Sequence, residues 1–383
     1  MSIANRCTNW LETHAVKPDY SGFVLAGVAI CFFGAAINTM AGWLYVISGL
    51  SFAILAIAIV LPTRTLKGIS VRRQSIQPIS AGDDLIIELE IANQTSQPKT
   101  LLQAQDILPF VLGQPVKIAI EVIAPESSYR WVYKLPTTRR GVYQWQTVLL
   151  RTAAPLGLFW CRRDRTSAAT AIVYPLVFPL THCPLIDEIG LEDKLQVDSQ
   201  KRFQSSNSGI TRSLRPYRLG DPMRLIHWRT SARYGDLRVR ELEVITGGQE
   251  IVICLDSGGN WQSDNFEQAV TAAASLYFYA VMHQLKVKLW TANTGLIKGD
   301  RLVLEALAAT TAPEDAMNSN LPPHPLIWLS ENPQTLNTLP PGSRWVLWQN
   351  SSQSPLSLEN RRLPGLPVQA EQSLQLQLQK PLI

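Results

Sequence analysis

Residues 20–63 read YSGFVLAGVAICFFGAAINTMAGWLYVISGLSFAILAIAIVLPT, without an Asp, Glu, Lys, Arg or His. A helix crossing a hydrocarbon core of about 30 Å takes roughly 20 residues at 1.5 Å rise each. The run therefore predicts two spans, about Gly22 to Ile37 and about Gly42 to Leu61, with Asn38-Thr39-Met40-Ala41 as the only polar break. A cleaved signal peptide is opposed by the long mixed flank (Arg6, Glu12, Lys17, Asp19) and by the second span close behind. A helical hairpin buried in a soluble domain would need something to cover all 44 uncharged residues. Arg6 and Lys17 precede the pair, Arg64, Lys67, Arg72 and Arg73 follow it, and the turn has no cation. The positive-inside rule then puts both flanks, and so both termini, in the cytoplasm of a bacterial inner (plasma) membrane protein. Tyr20, Trp43 and Tyr45 suit interfacial anchoring.

The rest of the 383 residues has room for further domains. A net charge of +5 is too small to imply a nucleic-acid partner. Cys7, Cys31, Cys161, Cys183 and Cys254 form no CxxC pair, and an odd, scattered set reads as reduced thiols. The five histidines (His14, His182, His227, His283, His324) show no metal-ligand spacing, and no cofactor is expected.

From residue 64 to 175 the apolar period changes to two. Leu85, Ile87, Leu89 and Ile91 alternate with polar residues, as do Val116, Ile118, Ile120 and Val122, and Tyr129, Trp131, Tyr133 and Leu135. Val142 to Leu150 and Ala171 to Tyr174 complete the set. Short alternating strands between turn signals predict an antiparallel, Ig-like β-sandwich, read as a spacer or docking module.

Residues 176–245 form a connection that is strongly cationic. Between Lys201 and Arg240 ten cations face only Asp221 and Asp236, a local charge of +8 that leaves the remainder of the chain at −3. Asp221 as N-cap, Pro222 at the first helical position and Gly235 as terminator predict a helix over this stretch. Three readings of the arginines stay open: bridging to carboxylates and carbonyls of the next domain, docking an acidic protein surface, or binding phosphate. Tyr217, Trp228 and Tyr234 are too few for a base-stacking platform.

Residues 246–350 alternate strand and helix. Ile251-Val-Ile-Cys-Leu255 is an all-apolar run, as in a strand buried on both faces, and Asp256 stands at its carboxyl end. A helix from about Asn265 to Gln284, a strand at Val287–Thr291, a short helix at Leu302–Ala309 and strands at Leu326–Leu329 and Trp345–Trp348 follow. This order predicts a parallel α/β sheet, whose ligands bind beyond the strand carboxyl ends. The Asp256-Ser-Gly-Gly-Asn260 loop is a weak metal candidate, because Gly258 adds no side-chain oxygen. The other reading makes Asp256 an N-cap or an ion-pair partner for the arginines, Arg224 in particular. Residues 351–383 read as a polar Gln/Ser/Pro-rich tail with one edge strand.

The run Gly209-Ile-Thr-Arg-Ser-Leu-Arg-Pro-Tyr-Arg-Leu-Gly-Asp-Pro-Met-Arg-Leu-Ile-His-Trp-Arg-Thr-Ser-Ala-Arg233 resembles the signature of the "domain of unknown function 58" family. The matching positions are Leu214, Arg215, Tyr217, Gly220, Asp221, Arg224, Ile226, Trp228, Ser231, Ala232 and Arg233. Arg140-Gly141-Val-Tyr143 and Pro155-Leu-Gly-Leu-Phe159 match a second family pattern, in which Asp commonly stands where Ala154 is here. The resemblance implies a membrane anchor, a β-sandwich, a von Willebrand factor A-like domain, and a MoxR-type AAA+ ATPase as partner. In that domain type the metal loop reads Asp-x-Ser-x-Ser, and Gly258 and Asn260 replace both serines here.

These readings predict a multi-domain membrane protein, a two-helix hairpin followed by sandwich and α/β domain. It acts as a scaffold or adaptor in complex assembly or cell-envelope maintenance. No Ser-His-Asp, paired-carboxylate or P-loop set can be assembled, so it is read as a non-enzyme. The alternatives are a membrane-tethered hydrolase or nuclease using Asp256 and His227, and a metal-dependent adhesion module on the Asp256 loop.

Overall fold

The structure, a computed structural model, describes residues 16–188, 210–218, 223–243, 250–314, 321–322, 324–349, 363–369 and 371–383. It divides between Tyr174 and Pro175 into two units.

In the first unit the uncharged run folds as α1 (Tyr20–Thr39) and α2 (Gly42–Thr65), both long and apolar enough to cross a membrane. Met40 turns the chain in the left-handed region, its N–H returning to the Ala36 carbonyl at 2.9 Å. Gly22, Ala29 and Ala36 recur at two-turn spacing and form the buried stripe of α1, and small side chains there permit close backbone approach. Phe33 meets Tyr45 and Phe52 edge-on.

A β unit continues directly from α2. Its larger sheet joins β1 (Lys17–Pro18), β9 (Phe159–Tyr174), β8 (Gly141–Thr152), β5 (Lys99–Asp106) and β6 (Val116–Ile123), with β3 (Ile79–Ser80) alongside β9. The smaller antiparallel sheet joins β2 (Ile69–Arg73), β4 (Asp84–Asn93) and β7 (Ser128–Pro136). Period two dictates which face is buried: Leu85, Ile87, Leu89 and Ile91 are all fully buried, and they share one core with Leu102, Ala104, Trp131, Val148 and Leu150 of the other strands. Strand β9 begins twelve residues before the Ala171–Tyr174 segment that alternation alone marks. Its Arg162–Thr170 stretch is polar and partly exposed, which hides the period.

The carbonyls closing α2 find donors on the sheet. Arg165 donates from Nη2 to the carbonyl of Leu66, the C-cap of α2, and from Nε to that of Ile69 at the start of β2, both at 2.9 Å, and Lys99 Nζ reaches the Arg64 carbonyl at 3.4 Å. Cations suit a helix carboxyl end, where backbone acceptors lack intrahelical partners. Burial pushes the Lys99 ammonium below its ordinary pKa.

Deep in the core, Arg73 grips Asp106 through two bonds of 2.6 and 3.0 Å, and the Tyr133 hydroxyl donates to the same carboxylate at 2.5 Å. Both charged side chains are at most 1% exposed. Burial, then the adjacent carboxylate, drives the Tyr133 phenol far above its ordinary pKa.

The second unit is built on a six-stranded sheet. Its order is β14 (Gly295–Ile297), β13 (Lys286–Thr291), β12 (Glu250–Leu255), β15 (Leu326–Ser330), β16 (Arg344–Gln349) and β17 (Gly365–Gln369). All pairs are parallel except β13–β14. Helix α4 (Ser263–Met282) contributes Phe266, Ala269, Val270, Ala273, Leu276 and Tyr277 to the core, and α5 (Asp300–Ala309) contributes Val303 and Leu307. The α/β unit does not end at 350 as expected: Leu366, Val368, Leu374 and Leu378 belong to its core. The edge strand expected in this stretch is β17, and it is covered. The Gln377 amide, on α6 (Leu374–Gln377), donates to the Gln369 carbonyl at 2.9 Å and accepts the Gln369 N–H at 2.8 Å. Backbone groups of Ile383 and Gly365 exchange bonds of 3.0 and 3.2 Å. An edge so occupied cannot recruit another strand.

Asp106→Ala should leave the Arg73 cation unpaired in the core and cost about 3–5 kcal/mol. The thermal unfolding midpoint of the full chain in detergent micelles measures this, and a shift of under a degree would refute the assigned role of the pair.

Candidate functional site

Strands β12 and β15 are parallel neighbours with Leu255 level with Leu329, so the chain's next residues, Asp256 and Ser330, emerge side by side. After β12 the sheet grows through β13 in one direction, and after β15 through β16 in the other. Crevices of α/β folds open at such a reversal, outside the strand carboxyl ends.

Here the Ser330 hydroxyl donates to Asp256 Oδ2 at 2.7 Å. The Asp256 backbone carbonyl takes the Trp261 indole N–H at 2.6 Å, and its N–H bonds the Leu329 carbonyl at 3.0 Å. Ser257 Oγ accepts the Ala292 N–H at 3.0 Å and so faces β13's end, away from any shared ligand set with Asp256. Glu331 accepts the Gln262 N–H at 2.8 Å and the Asn265 amide at 3.1 Å, closing the start of α4. The expectation of Asp256 as N-cap is therefore corrected: α4 follows Gln262, and Glu331 supplies the acceptor. Burial raises the Asp256 carboxyl pKa above the ordinary range, against the opposing pull of the Ser330 hydroxyl and the Gly259 N–H. The cluster can hold a proton or receive a polar group. Among the described residues no three His, Cys, Asp or Glu side chains stand together as metal ligands.

The arginine-rich segment, within the second unit, is built on a two-stranded antiparallel sheet. Strand β10 (Ile210–Pro216) pairs with β11 (Arg238–Glu243), and between them lie a 3₁₀ turn (Met223–Leu225) and α3 (Trp228–Tyr234). The expected single helix from Asp221 is thus replaced by a shorter one. Ile226 breaks the run by bridging to Val239 in an isolated β-contact, and His227 becomes the N-cap. Its Nδ1 accepts the Thr230 N–H at 3.2 Å and lies 2.7 Å from the Thr230 hydroxyl. Gly235 ends the helix in the left-handed region, at φ 78°, as expected.

Ser231 is buried and staples the module, donating to the His227 carbonyl at 3.1 Å and accepting the Arg238 N–H at 2.9 Å. The Tyr217 N–H bonds the Leu237 carbonyl at 2.8 Å. Arg215 is partly buried, with Nη1 donating to the Pro216 carbonyl at 3.2 Å. Arg233, in the last turn of α3, is exposed. Gly220, Asp221 and the side chain of Arg224 lie outside the described residues, and with them the expected Arg224–Asp256 pair. Met223 and Trp228 are 68% and 61% exposed, and Arg218, Arg229 and Tyr234 are exposed as well.

The model of the family described as "Protein of unknown function DUF58" matches residues 213–308, from β10 to the end of α5. Over that segment the chain is similar to the DUF58 family. A curated relative, "Uncharacterized protein YeaD" of Bacillus subtilis (strain 168), is 25% identical over 210 residues. That alignment takes in 54% of this chain and 51% of the relative, so the chain spans about half the length of the curated relative it matches. The family segment holds both the arginine module and Asp256.

Among solved structures, the CARDB domain of a Pyrococcus furiosus protein is similar over 26% of this chain and 94% of its own, at 8% identity and TM-score 0.19. A β-glucosidase from Listeria innocua is similar over 25% of this chain and 16% of its own, at 14% identity and TM-score 0.15. Likenesses this slight carry no argument about fold or activity.

Because the folded state keeps the Asp256 proton to higher pH than the unfolded chain, the stability it contributes is present below the ordinary carboxyl range and lost as pH climbs from there through the raised folded-state value. Asp256→Asn removes that titration. The variant's melting temperature relative to the parent should be higher at pH 7 than at pH 3, and an offset independent of pH would contradict the buried-acid account.

Proposed function

We propose that this chain is a bilayer-anchored adaptor whose α/β unit docks an acidic protein partner through the arginine module. The observation that carries this reading is the exposed set Met223, Trp228 and Tyr234 interleaved with Arg218, Arg229 and Arg233. Met, aromatic residues and Arg are the types enriched where proteins meet, and guanidinium suits bidentate pairing with carboxylates. The local charge of +8 favours an acidic surface. A MoxR-type AAA+ ATPase is the candidate partner, on the family resemblance.

In this reading α1 and α2 cross the plasma membrane, and the cationic flanks hold both termini in the cytoplasm. The two-sheet β unit is an Ig-like sandwich. The six-stranded unit is von Willebrand factor A-like, a reading supported by five parallel strands with one short antiparallel strand at the edge. Its role is complex assembly or cell-envelope maintenance.

The test is binding of the purified full chain to a MoxR-type ATPase, with and without ATP. Trp228→Ala combined with Arg229→Glu should weaken capture at least about tenfold, as loss of a central aromatic anchor does. Both side chains are exposed, so the melting temperature should stay put. Capture undiminished by the double variant would reject the module as the docking face. For topology, reporters active only in the cytoplasm, fused after Arg73 and after Ile383, should both be active; two silent fusions would reverse the orientation.

A further inference from the structure

The Pro155-Leu-Gly-Leu-Phe159 motif has no part in the docking module, and the structure gives it another place. The loop between β8 and β9 lies against the first turn of α1. The Leu158 carbonyl accepts the Asp19 N–H at 2.9 Å, and the Gly157 carbonyl accepts the Ser21 hydroxyl at 3.3 Å. A Cβ at Gly22 would collide with the Leu158 carbonyl oxygen, so glycine is what permits this approach. Strand β1, just before α1, extends the same attachment by pairing Lys17 with Trp160 and Pro18 with Phe159.

A 20-residue helix is about 30 Å long, matched to the hydrocarbon core, so its first turn lies in the interfacial layer. The loop is fastened at that depth. Its outer tip, Leu156, is 47% exposed, an apolar side chain with Pro155 and Gly157 exposed on either side. Lys17 pairs with Trp160 beside the loop, and Arg162 and Arg163 follow it on β9, against Asp19 and Asp164, the latter met by Arg162 at 3.3 Å. The Arg151 guanidinium lies 4.1 Å over the Trp160 ring, an amphipathic pair suited to the headgroup region.

We infer that this loop is a bilayer-seating element: Leu156 enters the interfacial layer of an anionic phospholipid membrane, and the surrounding cations hold the headgroups. The inference rests on the reading of α1 and α2 as membrane spans. It goes beyond that reading because it gives the β unit its own contact with lipid. Charge complementarity and continuity with the span select the bilayer over a protein occupant.

The experiment uses the full chain in vesicles of phosphatidylcholine and phosphatidylglycerol, with p-benzoylphenylalanine placed singly at Leu156, Phe23 or Ile86. Phe23 is exposed on α1 and reports the span. Ile86 is exposed on β4, seven residues from Asn93, which pairs with Ile69 near the end of α2, or roughly 24 Å along the strand. Irradiation should yield lipid adducts at Leu156 and Phe23 and none at Ile86. Omitting phosphatidylglycerol should lower the yield at Leu156 about twofold or more while Phe23 is unchanged. Adducts at Phe23 without lipid adducts at Leu156, or cross-links from Leu156 to a second copy of the chain, would overturn the seating element alone. No lipid adduct at Phe23 would overturn the span reading and the seating element with it. A Leu156 yield indifferent to phosphatidylglycerol would overturn the headgroup contact.

Discussion

The last carbonyls of an apolar helix have no intrahelical donor, and in this molecule Arg165 supplies a donor to that of Leu66, the C-cap of α2, and a second to the Ile69 carbonyl at the start of β2. Arg165 sits on β9, whose first residues pair with Lys17 and Pro18 just ahead of α1. One strand therefore ties the start of the first helix to the end of the second. The helix pair and the β unit share backbone hydrogen bonds at one end and side-chain caps at the other. That double attachment fixes which loops lie beside the helices: the 153–158 loop against Gly22, and the turn near Thr95 against Gly68. Gly68, at φ 72°, has no room for a side chain beside Thr95.

Farther from the helices the β unit relies on a different polar device. Arg73 and Asp106 are taken fully out of water, and the pair persists because two parallel bonds and the Tyr133 hydroxyl satisfy the carboxylate. The guanidinium also lies 5.0 Å from the Trp145 ring centroid. The pair joins β2 of the smaller sheet to β5 of the larger one.

In the α/β unit the unusual feature is an acid placed where burial disfavours its charge. Asp256 lies where the sheet order reverses, at the position from which such folds address ligands. A group kept at a cost to stability marks a functional position more strongly than one that stabilises. The arginine module differs in kind. Its buried residues (Ile226, Ser231, Val239) only hold it together, and its exposed aromatic and cationic side chains are what another molecule would meet.

The sequence by itself determined the uncharged helix pair, the alternating strands from Leu85 to Ile91, the buried strand ending at Asp256, and the glycine stop at Gly235. Each is a local signal, because hydropathy, period and cap chemistry depend on residues a few positions apart. Tertiary structure decided the rest. Ser330 meets Asp256 across 74 positions of chain, and Arg165 reaches Leu66 across 99. His227 caps a helix in place of Asp221 because β11 draws Ile226 into a bridge with Val239 and ends the preceding turn. Trp228 is exposed because that same bridge turns the helix so that Ser231 faces inward. No local pattern encodes these outcomes: which side chain is covered depends on the partner that distant chain brings to it.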